Sequence, residues 1–450
     1  MDTIKQGDNK VLSIIAKKKL NTNSLYRLST YTVPYSKCGV HLLKNTLTGQ
    51  TVRLTEDEWN AVNSFGCADL PYLEQHGFTQ LAADRIIVER EQDDLAMYRL
   101  VMTVLKTMRK KPDGFRSYVI FPTTGCNARC VYCFEKDYVP KTMTSETVER
   151  LIDYISETRR DDKIRLRWFG GEPLAAAGII THICEELTKR DIPFESSVVT
   201  NASLMTRELA KTAKNVWNLK KVQVSLDGDR TAYEERKRYI DPKKYNFDTV
   251  LQAVHFMADE GIEISIRCNY DWDNLDGLRE FSDTMKREFG DIPNVSVYFA
   301  MLYQERNRET TADLYKKELE ATRYSDGLGF SGAVKRSTNK KFKTNYCMAD
   351  SMDDSVVIDP NGILYNCEHL SGENAFGNIF DGVTDTETYN RLKSQPEIDE
   401  QCKKCLFLPQ CTPFYKPRCP GWHNDCVEEK LLRMEYELER MADRLLAEEN

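Results

Sequence analysis

No stretch of the 450-residue chain approaches the roughly 20 consecutive apolar residues that a membrane-spanning helix needs. The amino-terminal segment MDTIKQGDNKVLSIIAKKKL has basic residues but lacks the apolar run of a signal peptide. A basic excess is missing too. Against 63 lysines and arginines stand 70 aspartates and glutamates, a net charge of −7, which gives no basis for broad attraction to nucleic acid or an anionic membrane. Apart from a strand–helix period there is no internal repeat. These absences lead us to expect a cytoplasmic protein without nucleic-acid or membrane partners. In that reducing compartment a disulfide framework is not expected, so clustered cysteines point to metal.

Cysteine is abundant, 14 in all, and unevenly placed. Cys38, Cys67, Cys184 and Cys268 are scattered and are expected to be small buried hydrophobes. Cys126, Cys130 and Cys133 crowd into TTGCNARCVYCFEK, with no fourth nearby. Seven more follow: Cys347, Cys367, Cys402, Cys405, Cys411, Cys419 and Cys426. Disulfides need pairs, and a closed zinc site needs four ligands. Three thiols suit a metal centre that keeps one position open. A zinc site completed by a distant residue, or unligated thiols, are the other readings of this loop.

Three regions separate along the chain. GVHLLKNTLTGQTVRL reads as a hairpin, followed by a helix capped by Thr55 and by a short helix stopped at Gly77. Residues 1–95 are therefore expected to form a small α+β domain, and 96–114 a linking helix. Residues 115–305 alternate apolar strands (117–122, 164–169, 196–200, 222–226, 263–270 and 295–301) with helical patterns. Six such units predict a parallel sheet covered by helices, a partial (β/α)6 barrel with its chemistry in the loops after the strands. The three-cysteine loop follows the first strand. Residues 306–345 read as a polar connection, and 346–450 as a loop-rich, metal-stabilised domain with a helical tail.

The spacing C-x3-C-x2-C, with the aromatic Tyr132 before its last cysteine, resembles the signature of the radical S-adenosylmethionine enzymes. The resemblance implies a [4Fe–4S] cluster on Cys126, Cys130 and Cys133, with S-adenosylmethionine on the open iron. It also implies a cofactor pocket of Gly170, Gly171 and Glu172 in RWFGGEPL, Ser225 in VQVSLDG, Arg267 in IRCNYD, and less firmly Thr200 and Asn201. An acid suits the cofactor's ammonium, and an arginine can pair bidentately with its carboxylate. A tight turn with a solvated acid, and a salt bridge on the rim, are the plainer readings of Glu172 and Arg267.

The carboxyl-terminal cysteines resemble the SPASM domain of the same superfamily. That resemblance implies two auxiliary [4Fe–4S] clusters, three clusters in all. Cys402, Cys405, Cys411 and Cys426 would hold one, and Cys347, Cys367 and Cys419 the other. The second set has three thiolates. A substrate cysteine, Glu368 or His369 would complete it. Glu368 is also a candidate base for a substrate proton, or equally a structural acid. A hairpin-and-helix domain ahead of such a core looks like the winged-helix-like leader-recognition domains of ribosomal-peptide maturases, which bind an extended segment at a sheet edge. The whole resemblance implies reductive cleavage of S-adenosylmethionine, hydrogen abstraction from a precursor peptide with a leader, and a thioether or carbon–carbon cross-link, with flavodoxin or ferredoxin as reductant. Formylglycine formation of the anaerobic sulfatase-maturing type is the alternative reaction. A non-catalytic iron–sulfur or metal-binding protein is the alternative of another class.

Overall fold

The computed structural model describes residues 2–5, 11, 14, 15, 20–64, 66–108, 114–160, 162–302, 305, 311–329, 354–370, 372–393, 398, 400–411 and 426–449. Two compact units result. One comprises Met1–Lys110, Ser337–Tyr346 and Pro396–Asn450, and the other Lys111–Arg336 and Cys347–Gln395.

The smaller unit contains β1 (Asp2–Lys5), β2 (Tyr26–Leu28), β3 (Thr32–Lys37), β4 (Val40–Asn45), β5 (Thr51–Leu54) and β6 (Ile87–Glu89). An antiparallel sheet runs β1-β5-β4-β3, and β2 pairs with β6. The hairpin read from residues 39–54 is β4–β5. Helix Glu56–Ser64 starts at a reciprocal cap: the Glu58 N–H donates to Thr55 Oγ1 at 3.3 Å, and the Thr55 N–H to Glu58 Oε2 at 2.9 Å. Gly77, at φ +70°, ends the turn after helix Leu70–Gln75. Helix Asp94–Met108 buries Tyr98, Val101, Met102 and Leu105 against Tyr31, Leu47 and Leu408. Instead of only linking, it fills a core. The tail helix Cys426–Glu449 lays Met434, Leu438 and Ala442 on Val33, Val40 and Leu42, with Lys44 and Glu437 paired at 2.5 Å in its buried face.

In the larger unit, β7 (Ser117–Thr123), β8 (Ile164–Gly170), β9 (Phe194–Thr200), β10 (Leu219–Ser225), β11 (Glu263–Tyr270) and β12 (Val295–Met301) lie side by side in chain order, all parallel. Five helices intervene: Ser145–Thr158, Ala177–Lys189, Arg207–Asn215, Phe247–Asp259 and Leu278–Phe289, with the short helix Arg230–Lys237 added after β10. Alternation assigns the two faces. In β12, Val295, Val297, Phe299 and Met301 are buried under the helices, whereas Ser296, Tyr298 and Ala300 are half-exposed. The half-exposed face of the other strands carries Arg167, Glu195, Gln223, Ser225 and Arg267. A polar-lined lumen is the result.

The sheet does not stop at β7. It continues through β13 (Ser355–Ile358), parallel to β7, and the antiparallel β14 (Ile363–Tyr365), β15 (Ala375–Asn378) and β16 (Gly382–Val383). Residues expected as one carboxyl-terminal domain over 346–450 are thus divided, because SVVI completes the edge of the barrel sheet. The segment read as a connection holds a helix, Thr311–Gly327, that buries Leu314, Tyr315 and Leu319. Of the scattered cysteines, Cys184 and Cys268 are buried as expected, but Cys38 and Cys67 are exposed. Cys38 sits at φ +49° in the β3–β4 turn, where its side chain has no core to enter. Among the described residues, no helix is long and apolar enough to cross a membrane.

Candidate active site

Cys126, Cys130 and Cys133 lie in the loop after β7, free and half-buried. Burial pushes their thiols up, Cys126 to about 12, so loading a metal there must displace protons. Among the described residues no three such side chains stand close enough to share a single ion. A cubane spreads its ligands over several irons.

Two glycines bring the end of β8 onto this loop. The Gly171 N–H donates to the Thr123 carbonyl at 3.2 Å, and the Glu172 N–H to the Gly125 carbonyl at 2.9 Å. A Cβ on Gly170 (φ +113°) would stand 2.3 Å from the Thr123 oxygen. One on Gly171 would stand 2.4 and 2.5 Å from the oxygens of Thr124 and Gly125. No larger residue permits that approach.

Glu172 is fully buried. Its Oε1 accepts from Thr200 Oγ1 at 2.6 Å and the Leu174 N–H at 3.0 Å, and its Oε2 from the Asn201 N–H at 2.8 Å. Burial nevertheless leaves its carboxyl raised. Three protein donors therefore hold the acid expected to meet an ammonium, and it ties β8 to β9. Asn201 Nδ2 continues the knot to Asn127 Oδ1 at 2.9 Å, inside the cysteine loop. Ser225 and Arg267 stand opposite each other on β10 and β11. Tyr132 turns its hydroxyl to Asp227, beside Lys237.

Cys367 and Glu368 follow β14 and belong to the larger unit. Glu368 Oε1 lies 3.5 Å from Arg167, an ion-pair distance without hydrogen-bond geometry. Burial raises its carboxyl, opposed by Arg167 and Arg267. Those arginines stand three strands apart on the half-exposed face of the sheet. Glu135 also reaches this place. Burial, and then Glu368, push its carboxyl up to about 8. Ring contact of Phe134 with His369 at 4.5 Å packs the end of the cysteine loop on the same turn. The Glu135 Oε2 and Arg267 Nε atoms are buried with no hydrogen-bond partner among the described residues, as befits a pocket for a polar ligand. With three free thiols beside them, these residues fit a [4Fe–4S] cluster and S-adenosylmethionine.

In the smaller unit, tight turns set Cys402, Cys405 and Cys411. The Cys405 N–H donates to the Cys402 carbonyl at 3.1 Å, and Lys430 Nζ donates to Cys411 Sγ at 2.5 Å. Cys426 opens the tail helix. Cys347 and Cys419 lie outside the described residues. Sequence reasoning overlooked Asn127, Glu135, Arg167, Asp227 and Lys237. Asp227 was within reach, two places after Ser225 in SLDG. Lys237, inside the basic run RKR, carries no signal that separates it from a solvated charge.

Residues 120–284 match the model of the radical SAM superfamily. The chain thus carries a radical SAM domain and is an enzyme, and the family of that domain implies a [4Fe–4S] cluster and S-adenosylmethionine. It is similar to the radical SAM cyclopropyl synthase TigE of Paramaledivibacter caminithermalis, 22% identical over 64% of this chain and 65% of that enzyme. Its fold is that of anSMEcpe solved with bound AdoMet, at TM-score 0.59 and 18% identity over 73% of this chain and 98% of that one. It is also that of Streptococcus suis SuiB solved with precursor peptide SuiA, at TM-score 0.51 and 17% identity over 89% and 99%.

Proposed function

We propose that this enzyme forms an intramolecular cross-link, a thioether or a carbon–carbon bond, in a ribosomally made precursor peptide. The carrying observation is the buried Glu368 carboxyl, 3.5 Å from Arg167, on the turn whose His369 packs against Phe134 of the cysteine loop. Cys126, Cys130 and Cys133 would hold the cluster. With S-adenosylmethionine bound, it supplies a hydrogen-abstracting 5′-deoxyadenosyl radical. Gly170, Gly171, Ser225 and Arg267 orient that cofactor. Glu172, Thr200 and Asn201 keep the strand ends and the loop in register. Glu368 accepts the proton that leaves the peptide as the new bond forms. Cys402, Cys405, Cys411 and Cys426 would hold an auxiliary cluster able to accept the electron released on bond formation, and a flavodoxin or ferredoxin would supply the electron for cofactor cleavage. The edge strand β3 offers backbone groups to an extended leader. The breadth of the likeness to SuiB, which takes in both units, supports a peptide substrate.

The higher TM-score to anSMEcpe favours a second reading, oxidation of a cysteine or serine to formylglycine. Anaerobic incubation with reductant, S-adenosylmethionine and synthetic cysteine-containing precursor peptides separates the two by mass spectrometry. A product that has lost two hydrogens and one free thiol supports a thioether. An aldehyde supports the second reading. Glu368→Gln is expected to keep 5′-deoxyadenosine formation and lose cross-linked peptide. Unmodified peptide beside rapid cofactor cleavage contradicts a peptide substrate.

A further inference from the structure

The loop of three cysteines is neither helix nor strand, so something else must hold its shape. Its partner is the segment 236–240, which leaves helix Arg230–Lys237 through Arg238 at φ +49°. The Arg129 N–H donates to the carbonyls of Lys237 and Arg238 at 3.2 and 2.9 Å, and the Val131 N–H to Arg236 at 3.0 Å. In return the Ile240 N–H donates to the Asn127 carbonyl at 2.9 Å. The interior of the loop is thus paired along its length with this segment.

A buried charge anchors the template. Lys237 is 2% exposed and Asp227 0%. Lys237 Nζ lies 3.2 Å from Asp227 Oδ2, 3.1 Å from the Ser225 carbonyl and 3.4 Å from the Tyr132 hydroxyl. Asp227 Oδ1 takes the Asn269 N–H at 3.0 Å and Asn269 Nδ2 at 2.8 Å, while Oδ2 takes the Tyr132 hydroxyl. One knot therefore joins β10, β11, the template and the loop.

We propose that Lys237 is a positioning residue for the cofactor loop: through Asp227 and Tyr132 it fixes the template that shapes residues 127–131. The inference rests on the reading that these three thiols hold the cluster. A carboxylate left alone at this depth is strongly destabilising, so Lys237→Met by itself risks misfolding. Lys237→Met/Asp227→Asn removes both charges and keeps their volume.

The test compares wild type, Lys237→Arg and the double variant, each reconstituted anaerobically and matched by circular dichroism. Iron content, the change in the electron paramagnetic resonance signal on adding S-adenosylmethionine, and the midpoint of that signal are read. The double variant, which removes one charge of each sign, is expected to bind less iron or to lose that change. Lys237→Arg is expected to stay near wild type. A double variant with wild-type iron, signal change and midpoint overturns the role of Lys237. A wild-type protein that shows no change with S-adenosylmethionine overturns instead the reading on which the inference rests.

Discussion

Gly171→Ala probes the joint between β8 and the cysteine loop. The new Cβ would stand 2.4 and 2.5 Å from two carbonyl oxygens, and neither is the tip of a flexible side chain. Restoring ordinary contact requires the turns to part by roughly 1 Å. Overpacking of this kind costs about 1–3 kcal/mol. Parting also strains the Gly171–Thr123 and Glu172–Gly125 hydrogen bonds, each worth about 1 kcal/mol net. The expected loss is about 2–4 kcal/mol by equilibrium denaturation. Because the same movement displaces the lead-in to Cys126, cofactor cleavage is expected to fall about a hundredfold. Gly178→Ala is the control. That glycine lies in helix Ala177–Lys189 with nothing within 4 Å of a new Cβ, so the change is expected to be neutral or to stabilise by up to about 1 kcal/mol. Gly171→Ala with wild-type stability and wild-type 5′-deoxyadenosine formation would refute the close-approach reasoning.

Other expectations follow from buried charges. The Glu135 carboxyl, raised to about 8 from 4.5, stays protonated in the folded metal-free protein while the unfolded chain ionises. Stability of that form is therefore fullest below the unfolded pKa, falls as pH rises toward 8, and levels above it, by at most roughly 4–5 kcal/mol. Denaturation of Glu135→Gln across this range is expected to lack that slope. An identical slope in the variant would assign the fall to other groups. In the smaller unit, Lys44→Met breaks the buried Lys44–Glu437 ion pair and is expected to cost about 3–5 kcal/mol, with Lys44→Met/Glu437→Leu recovering most of it. Two variants of equal stability would show that Glu437 escapes to solvent.

The six barrel strands were legible because each is a compact apolar run between turn and helix signals, and EISIRCNY and VSVYFAM match their strands end to end. GGE was legible as a glycine turn, but its purpose was not. Only the carbonyls of Thr123, Thr124 and Gly125 across the joint explain both glycines. β13 escaped because three apolar residues after a serine give little local signal, and its partner β7 lies far earlier in the chain. Cys367 and Glu368 were accordingly read as parts of a separate domain, whereas β13 and β14 carry them to the lumen. Helix Thr311–Gly327 was hidden by its charged face, although Leu314, Tyr315 and Leu319 keep helical spacing. Asp227 and Lys237 show a deeper limit. Ion pairs that shape a loop from beneath look, in sequence, like any other surface charges.

The central claim is that Cys126, Cys130 and Cys133 together hold the cluster that acts on S-adenosylmethionine. Its most direct test is electron paramagnetic resonance of the reduced, reconstituted enzyme with and without S-adenosylmethionine, for wild type and Cys126→Ala/Cys130→Ala/Cys133→Ala, with 5′-deoxyadenosine measured on the same samples. A signal that shifts with the cofactor in wild type, with shift and cleavage both lost in the variant, is the expected result. Cleavage that survives the triple change, or zinc in place of iron, would contradict it.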